Sequence, residues 1–293
     1  MKSKSSVEHN DVNFLTFDVE EWYAVNYKSV NLSLYNDSGT HLEKNMDKLL
    51  EICAENKIKS TCFIVGDIAR NKPNIIKKIH SEGHEVASHS YNHKMINKMT
   101  PDQFILDLHK SCDILEQIIG EQIIGYRAPS WSVNQEILPW FYNILNEREI
   151  KYSSSVFPGK TFLYGIKNFP QEIHQPLIDG VKQPVWEIPQ VLFSVIGKKY
   201  GFSGGFYLRA LPLFFVKKLI VKKNRKGKNI FVYLHPREID PKSPKLKLPL
   251  IEKLIHYYGV KGCEFKLRSI LKNFQPTFTR MGDYINQLNQ SEK

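Results

Sequence analysis

The sequence predicts an α/β protein in which a parallel sheet of about seven strands carries helices outside it and can close as a barrel. Two observations predict this fold. Short apolar or β-branched runs alternate along the chain with segments of helical spacing, and repeated strand–helix units build parallel sheets. Polar residues also follow several of these runs directly, at the carboxyl ends of strands where such sheets carry their sites.

The elements are identified in chain order from apolar spacing and from helix start signals. Residues 13–18 form an apolar strand that ends in an acid, and residues 41–56 place apolar side chains at helical spacing. Thr100 can cap a helix that has Pro101 in its first turn and Gln103 positioned to reach back. The other predicted strands are 60–65, 85–88, 123–127, 151–154, 185–188 and 229–235, and the other predicted helices are 73–80, 100–119, 135–146, 211–223 and 264–274.

Composition limits the class of protein. The 293 residues include 42 % hydrophobic residues, which is enough for a large core and excludes a disordered or collagen-like chain. The sequence contains no apolar run of the roughly 18 residues that a membrane-spanning helix needs. Its start is polar and its four cysteines are scattered, so we expect a cytoplasmic protein with reduced thiols.

The chain is strongly basic. It carries 41 Lys or Arg against 30 Asp or Glu, a formal net charge of +11. A basic surface favours an anionic partner, such as the inner face of a membrane or a phospholipid-linked sugar. A solvated lysine-rich face is the alternative. The basic runs lack interleaved aromatic residues, so no nucleic-acid partner is expected.

The first predicted strand delivers three carboxylates, Asp18, Glu20 and Glu21. Carboxylates this close repel one another and call for a cation or a raised pKa. In an extended strand Asp18 and Glu20 point to the same side, so they can face one metal ion and one water together. A solvated acidic strand end is the other interpretation.

Three further motifs carry candidate site residues. His89 and His93 are four apart, a spacing that places two imidazoles on one face of a helical turn and suits zinc or a similar ion. Arg127 ends a predicted buried strand and needs a carboxylate partner, for which Asp18 is the candidate. His235 ends a strongly apolar strand, where it is either a general acid beside a metal or a hydrogen-bonded core histidine.

In this order the motifs TFDVEEW, HSYNH, RAPSW and LHP resemble the polysaccharide deacetylases of carbohydrate esterase family 4. The similarity extends over residues 13–275 and is greatest to a branch associated with exopolysaccharide biosynthesis loci. That branch is indicated by the segments GYRAPS, WEIP, GGFYLRALP and HPREID.

This resemblance implies a distorted (β/α) barrel and a divalent metal, most often zinc, that serves in removing an acetyl group from an N-acetylated sugar. It further implies that His89 and His93 are metal ligands together with an acid of the first motif. Asp18 would be the general base, Arg127 would hold it, and His235 would be the general acid.

One departure from the family concerns the acidic ligand. Val19 stands where the commoner motif has the aspartate that binds the metal. The ligand is then Glu20 or Glu21, and strand alternation favours Glu20 because it shares the side of Asp18.

A second departure concerns the general acid. Ser153 stands where the family often has an aspartate that orients the catalytic histidine. Either Glu187 substitutes for that charge, or His235 has a less elevated pKa. The predicted substrate contacts are Tyr126, Pro129, Trp131 and Glu187, with Trp131 able to stack on a sugar ring.

We expect residues 1–12 to be a flexible segment, residues 13–275 the deacetylase-like catalytic domain and residues 276–293 a helical tail. Two other functions remain open at this point. One is a deformylase or another amide hydrolase that acts on a lipid-linked sugar. The other is a catalytically weak homologue that only binds glycans.

Overall fold

A computed structural model describes residues 12–27, 29–30, 35, 41–161 and 164–291. The predicted flexible segment lies outside this part of the chain, apart from Val12. Most of the described residues form one parallel sheet and the helices that cover it.

The strands are β1 (Asn13–Val19), β2 (Thr61–Ile64), β3 (Glu85–Ser88), β4 (Gly125–Tyr126), β5 (Tyr152–Ser153), β6 (Leu177–Ile178), β7 (Val181–Lys182), β8 (Trp186–Glu187), β9 (Phe193–Val195), β10 (Lys198–Tyr200), β11 (Ile230–Leu234) and β12 (Phe278–Thr279). The α-helices are α1 (His41–Glu55), α2 (Gly66–Asn71), α3 (Pro73–Ser81), α4 (Pro101–Ile119), α5 (Leu138–Glu147), α6 (Gly205–Ala210), α7 (Leu213–Asn224), α8 (Leu250–Tyr257), α9 (Val260–Phe274) and α10 (Met281–Ser291).

Seven parallel strands follow one another in the order β11-β1-β2-β3-β4-β5-β8 and curl into a half-barrel, and β12 adds to β1. This confirms the predicted distorted (β/α) barrel. The strands end level with one another at their carboxyl ends. Successive partners in this register are Val19, Ile64, Ser88, Tyr126, Ser153 and Glu187.

The side chains of β1 alternate between two hydrophobic cores, one on each face of the sheet. Leu15, Phe17 and Val19 join the large cluster packed beneath the outer helices, whereas Phe14 joins the cluster inside the half-barrel. Successive side chains of a strand point to opposite faces, so Asp18 lies on the same inner side as Phe14. The pattern of β1 alone therefore directs its acidic end towards the barrel interior.

The predicted start and end of helix α4 agree with the structure, because capping residues define both ends. Thr100 and Gln103 form the predicted capping box of α4, and Gly120 ends the helix with φ of 72°. The predicted strands 123–127 and 151–154 shorten to two paired residues each. The short helices α2 and α8 and the hairpins β6–β7 and β9–β10 were not predicted.

The predicted tail packs against the sheet. Met281 and Ile285 of α10 are fully buried in the inner cluster, and the residues of β12 pair with the start of β1. The division into a catalytic domain and a tail stays a prediction. Among the described residues no helix combines the length and apolar character that crossing a bilayer requires.

Candidate metal centre and active site

The candidate site lies at the carboxyl ends of the central strands. Asp18 lies near the end of β1 and Glu20 follows that strand directly. In the same way His89 follows β3, Arg127 follows β4 and His235 follows β11. Because these parallel strands end in register, side chains far apart in sequence meet at one edge.

Glu20, His89 and His93 form a cluster of potential metal ligands. Each offers one donor atom, and the three atoms lie within 4.8 Å of one another. Glu20 Oε2 is 2.6 Å from His93 Nε2. His89 Nδ1 lies 2.7 Å from the carbonyl oxygen of Arg127, so a proton donated there leaves Nε2 of His89 available to a ligand. Two imidazoles and one carboxylate are a donor set typical of catalytic zinc.

The backbone that joins the two histidines is not the helical turn that their spacing predicts. Ser90 and His93 both have positive φ, 67° and 55°. Hydrogen bonds hold this loop, among them one from Tyr91 N to Asp107 Oδ1 at 2.8 Å. The two rings still approach, with centroids 5.2 Å apart. Strained backbone of this kind concentrates at functional sites, where the surroundings enforce it.

Arg127 holds Asp18. Its Nη1 lies 2.6 Å from Asp18 Oδ1 and also donates to Thr16 Oγ1 at 3.0 Å. The guanidinium is 1 % exposed and lies over the ring of Phe63, 4.0 Å from its centroid. The carboxylate partner expected for this buried cation is therefore present.

His235 faces both acids of the first strand. Its Nε2 lies 3.4 Å from Glu20 Oε1 and 3.9 Å from Asp18 Oδ2. On the other side of the ring, Nδ1 lies 3.1 Å from Glu238 Oε2, and Glu238 Oε1 accepts a hydrogen bond from Arg209 Nε at 2.7 Å.

The charges of the cluster set its protonation states. Burial alone raises the pKa of Glu20, but His93 and His235 outweigh it and lower that pKa to about 2. Burial lowers the pKa of His89 to about 4. Burial also opposes the charge of His235, yet Glu20 and Glu238 together raise its pKa above the ordinary value. An anionic Glu20 beside a neutral His89 is the state in which both can bind a cation.

Glu21 points elsewhere. Its Oε1 lies 3.1 Å from Lys72 Nζ, and Glu21 is not part of the ligand cluster. The two carboxylates that the sequence left open as alternatives therefore have different surroundings, one among imidazoles and one beside an ammonium group.

Two family models together match nearly the whole described chain. Residues 10–152 match the model described as Polysaccharide deacetylase, and residues 154–286 match a domain of unknown function, DUF3473. The first half of the chain belongs to the polysaccharide deacetylase family.

Two curated relatives support the assignment of this part of the chain to the family. The peptidoglycan-N-acetylglucosamine deacetylase of Bacillus cereus is 30 % identical over 39 % of this chain and 41 % of its own length. The peptidoglycan-N-acetylmuramic acid deacetylase PdaA of Bacillus subtilis is 27 % identical over 45 % of this chain and 52 % of its own. The chain thus spans about half or less of these relatives.

The fold extends beyond the first half of the chain. A solved Mycobacterium smegmatis protein that has been assigned to the polysaccharide deacetylases superposes with a TM-score of 0.66 at 19 % identity. The match covers 96 % of this chain and 90 % of that one. The deacetylase fold therefore includes the segment that forms β8 and β11.

A cavity of about 420 Å³ opens over the ligand cluster. Trp131 lines it and packs edge-on against Tyr233, with centroids 4.7 Å apart. Ser130 and Trp131 both have positive φ, 55° and 45°, so a strained turn presents the indole. Basic side chains also line the cavity: Lys160, Lys199, Arg209 and Arg237.

Three of the predicted substrate contacts lie outside the cavity lining: Tyr126, Pro129 and Glu187. Tyr126 is fully buried and packs against Phe104 and Phe141 on the helix side of the sheet. Alternation explains this, because Tyr126 and Arg127 point to opposite faces.

Glu187 is also not the partner of His235. Its Oε1 accepts hydrogen bonds from the backbone amides of Ser155 and Val156 at 2.7 and 2.8 Å, and Tyr142 donates to its Oε2 at 3.0 Å. Glu187 organises the segment after β5 instead. These contacts do not support the first of the two alternatives, in which Glu187 supplies the charge missing at Ser153.

The sequence analysis missed Glu238 and Arg209. Glu238 follows His235 by three residues, the spacing of a capping box, and both halves of that box are present in the turn Pro236–Ile239. That spacing was the available signal. Arg209 comes from α6, and nothing local connects it to the site.

Proposed function

We propose that this chain is a metal-dependent hydrolase that removes the N-acetyl group from an N-acetylated amino sugar of a glycan and releases acetate. The convergence of Glu20, His89 and His93 beside Asp18 and His235 carries this proposal. The family match and the two peptidoglycan deacetylases among its relatives support it.

Glu20, His89 and His93 are the proposed ligands, with zinc as the proposed ion. Three protein ligands leave a position open for water or substrate, as a catalytic site requires. The hydrogen bond from His89 to the carbonyl of Arg127 supports this set, because metal-binding histidines commonly donate their second nitrogen in this way. A divalent ion bound there would polarise the acetyl carbonyl and lower the pKa of water from about 15.7 towards about 7.

Asp18 is the proposed general base. It accepts the proton of the attacking water while Arg127 fixes the carboxylate through a 2.6 Å contact. The same contact holds the carboxylate in one position beside the ligand cluster.

His235 is the proposed general acid. Its Nε2 faces the same space as Asp18 and Glu20, so it can protonate the leaving amine. Glu238 fixes the other nitrogen and thereby the direction of the ring. Trp131 and Tyr233 form a proposed wall for the sugar, since aromatic faces suit the apolar face of a pyranose ring.

A second candidate is the hydrolysis of a different acyl amide, such as a formyl group, on a phospholipid-linked sugar. The basic residues of the cavity lining, Lys160, Lys199 and Arg237, favour it because they suit a phosphate. Comparing acetate release from soluble N-acetylglucosamine oligomers with acyl release from a lipid-linked sugar distinguishes the two candidates.

The reaction is tested with a pair of variants. Asp18→Asn should lose about 10²- to 10⁴-fold in kcat, the usual contribution of a general base, while it still binds zinc. His89→Ala should lose both activity and zinc, measured by elemental analysis after dialysis. Full activity in Asp18→Asn would contradict the assignment of the base.

The choice of acidic ligand has its own matched pair. Glu20→Gln should weaken zinc binding about 10- to 100-fold or more, because it replaces an anionic ligand with an amide. Glu21→Gln should leave the zinc affinity close to that of the unchanged protein, since Glu21 faces Lys72. Titration with a competing chelator measures both, and the reverse order would show that Glu21 is the ligand.

A further inference from the structure

Helix α8 exposes an apolar stripe on the side that faces away from the protein. Its members, called the α8 stripe here, are Leu250, Ile251 and Leu254 of the helix and Tyr258, the residue that caps its end. They are 82, 73, 56 and 51 % exposed. At about 100° per residue these positions share one side of a helix. The buried residue of α8, His256, falls on the opposite side, so the stripe faces away from the described residues on which the helix packs.

Lysines surround the α8 stripe. Lys242, Lys245 and Lys247 precede the helix, Lys253 lies within it and Lys261 lies in the first turn of α9, and all five are exposed. The acid of the helix, Glu252, accepts a hydrogen bond from Ser29 Oγ. Exposed apolar side chains within a ring of lysines are the pattern of a helix that lies at the surface of an anionic membrane.

The helix that carries the α8 stripe also forms part of the wall of the active-site cavity. Ile255 and His256, on the inner side of the same helix, line that cavity. The hairpin β9–β10 also combines an exposed apolar side chain with residues that line the cavity. Its turn exposes Ile196 almost completely, at 97 %, and Lys199 and Tyr200 of its second strand also line the cavity.

We infer that the α8 stripe and its lysines dock this protein on a lipid bilayer that carries anionic headgroups. The apolar side chains enter the boundary between headgroups and acyl chains, and the lysines bind the headgroup phosphates. Charge opposes a second copy of this chain, which has a formal net charge of +11 and would bring its own lysines against these. An apolar stripe beside lysines matches a bilayer, which offers an apolar boundary directly beneath anionic headgroups. The cavity wall then lies beside the lipid surface. This surface is additional to the proposed reaction and does not depend on it.

Co-flotation of the full chain with vesicles tests the inference. We expect binding to vesicles of phosphatidylcholine mixed with phosphatidylglycerol, weaker binding to phosphatidylcholine alone, and release as salt is raised. Leu250→Ser/Ile251→Ser should lower the partition coefficient about tenfold or more. The matched control is Leu106→Ser/Leu177→Ser, which removes two side chains that are each 71 % exposed elsewhere on the surface and should bind like the unchanged protein.

Lys245→Glu/Lys247→Glu should also bind anionic vesicles less and show a weaker salt dependence. The inference is overturned if the unchanged protein does not bind anionic vesicles, or if the stripe variant binds as well as its control. Light scattering that finds a dimer which only the stripe variant dissociates, without vesicle binding, would assign the stripe to a second copy. Acetate release from a soluble substrate should be equal in the stripe variant and its control. Vesicle binding by the unchanged protein without any acetate release would refute the proposed reaction alone.

Discussion

At the scale of single residues, the orientation of His235 depends on Glu238, a carboxylate of the HPREID segment that the sequence analysis did not assign to the site. Glu238 is 1 % exposed and lies between His235 and Arg209, which is 4 % exposed. A carboxylate held from both sides can fix an imidazole in one direction. The negative charge that is absent at Ser153 is thus provided from the end of a different strand.

Glu238→Gln should lower kcat about 10- to 100-fold, because it removes the charge that orients and stabilises the protonated His235. KM and bound zinc should stay unchanged, since Glu238 is not part of the ligand cluster. Steady-state kinetics with elemental analysis measures this. Ser153→Ala is the control and should keep near-normal kcat, because Ser153 Oγ donates to Ser155 Oγ. Equal kcat in Glu238→Gln and the unchanged protein would contradict the assignment.

At the scale of elements, a buried histidine joins the starts of β2 and β3. His84 Nδ1 accepts a hydrogen bond from Ser60 N at 3.0 Å and lies 2.7 Å from Ser60 Oγ. Burial, together with the charges of Lys59 and Arg280, lowers the pKa of His84 from 6.5 to about 4. The neutral ring is therefore part of the folded structure.

The free energy of unfolding should fall as the pH drops from 6.5 to about 4, because the unfolded chain binds the proton more readily across this window. The contribution of His84 is complete above pH 6.5 and is lost below about pH 4, an amount of about 3 kcal/mol. His84→Asn keeps an acceptor for Ser60 N but does not titrate. Urea unfolding at several pH values should give a shallower decline for this variant, and equal slopes would rule out the assigned role.

At the scale of the whole molecule, the last helix closes the half-barrel from the end opposite the candidate site. Met281 N donates to Thr61 Oγ1 at 2.9 Å, and Gly282 N donates to Glu85 Oε2 at 3.0 Å. Ile285 is fully buried beneath them. A segment that sequence analysis separates as a tail thus completes the inner core.

Ile285→Ala should therefore destabilise the protein by about 2–4 kcal/mol, the usual effect of truncating a buried aliphatic side chain. The control, Asn286→Ala, changes an exposed neighbour and should stay within about 0.5 kcal/mol. Denaturant unfolding of both variants measures the difference. Equal stability would show that α10 is a dispensable tail.

Local signals in the sequence determined much of the fold. The alternation within β1 divides its side chains between two cores, and the capping box and Gly120 set the ends of α4. Residue chemistry at strand ends also identified the acids, histidines and Arg127 of the candidate site. These features are predictable because each depends on neighbours within a few residues.

The tertiary structure alone decided what depends on distant partners. Asp18 and Arg127 are 109 positions apart in sequence and meet only because the register of the parallel strands aligns their ends. The positive φ of His93 turns its ring towards Glu20, which a helical reading of the spacing does not give. Packing between elements brings Arg209 of α6 to Glu238. Packing also places α10 in the inner core of the half-barrel. No local propensity encodes such contacts, since their free energy arises only when the whole sheet has formed.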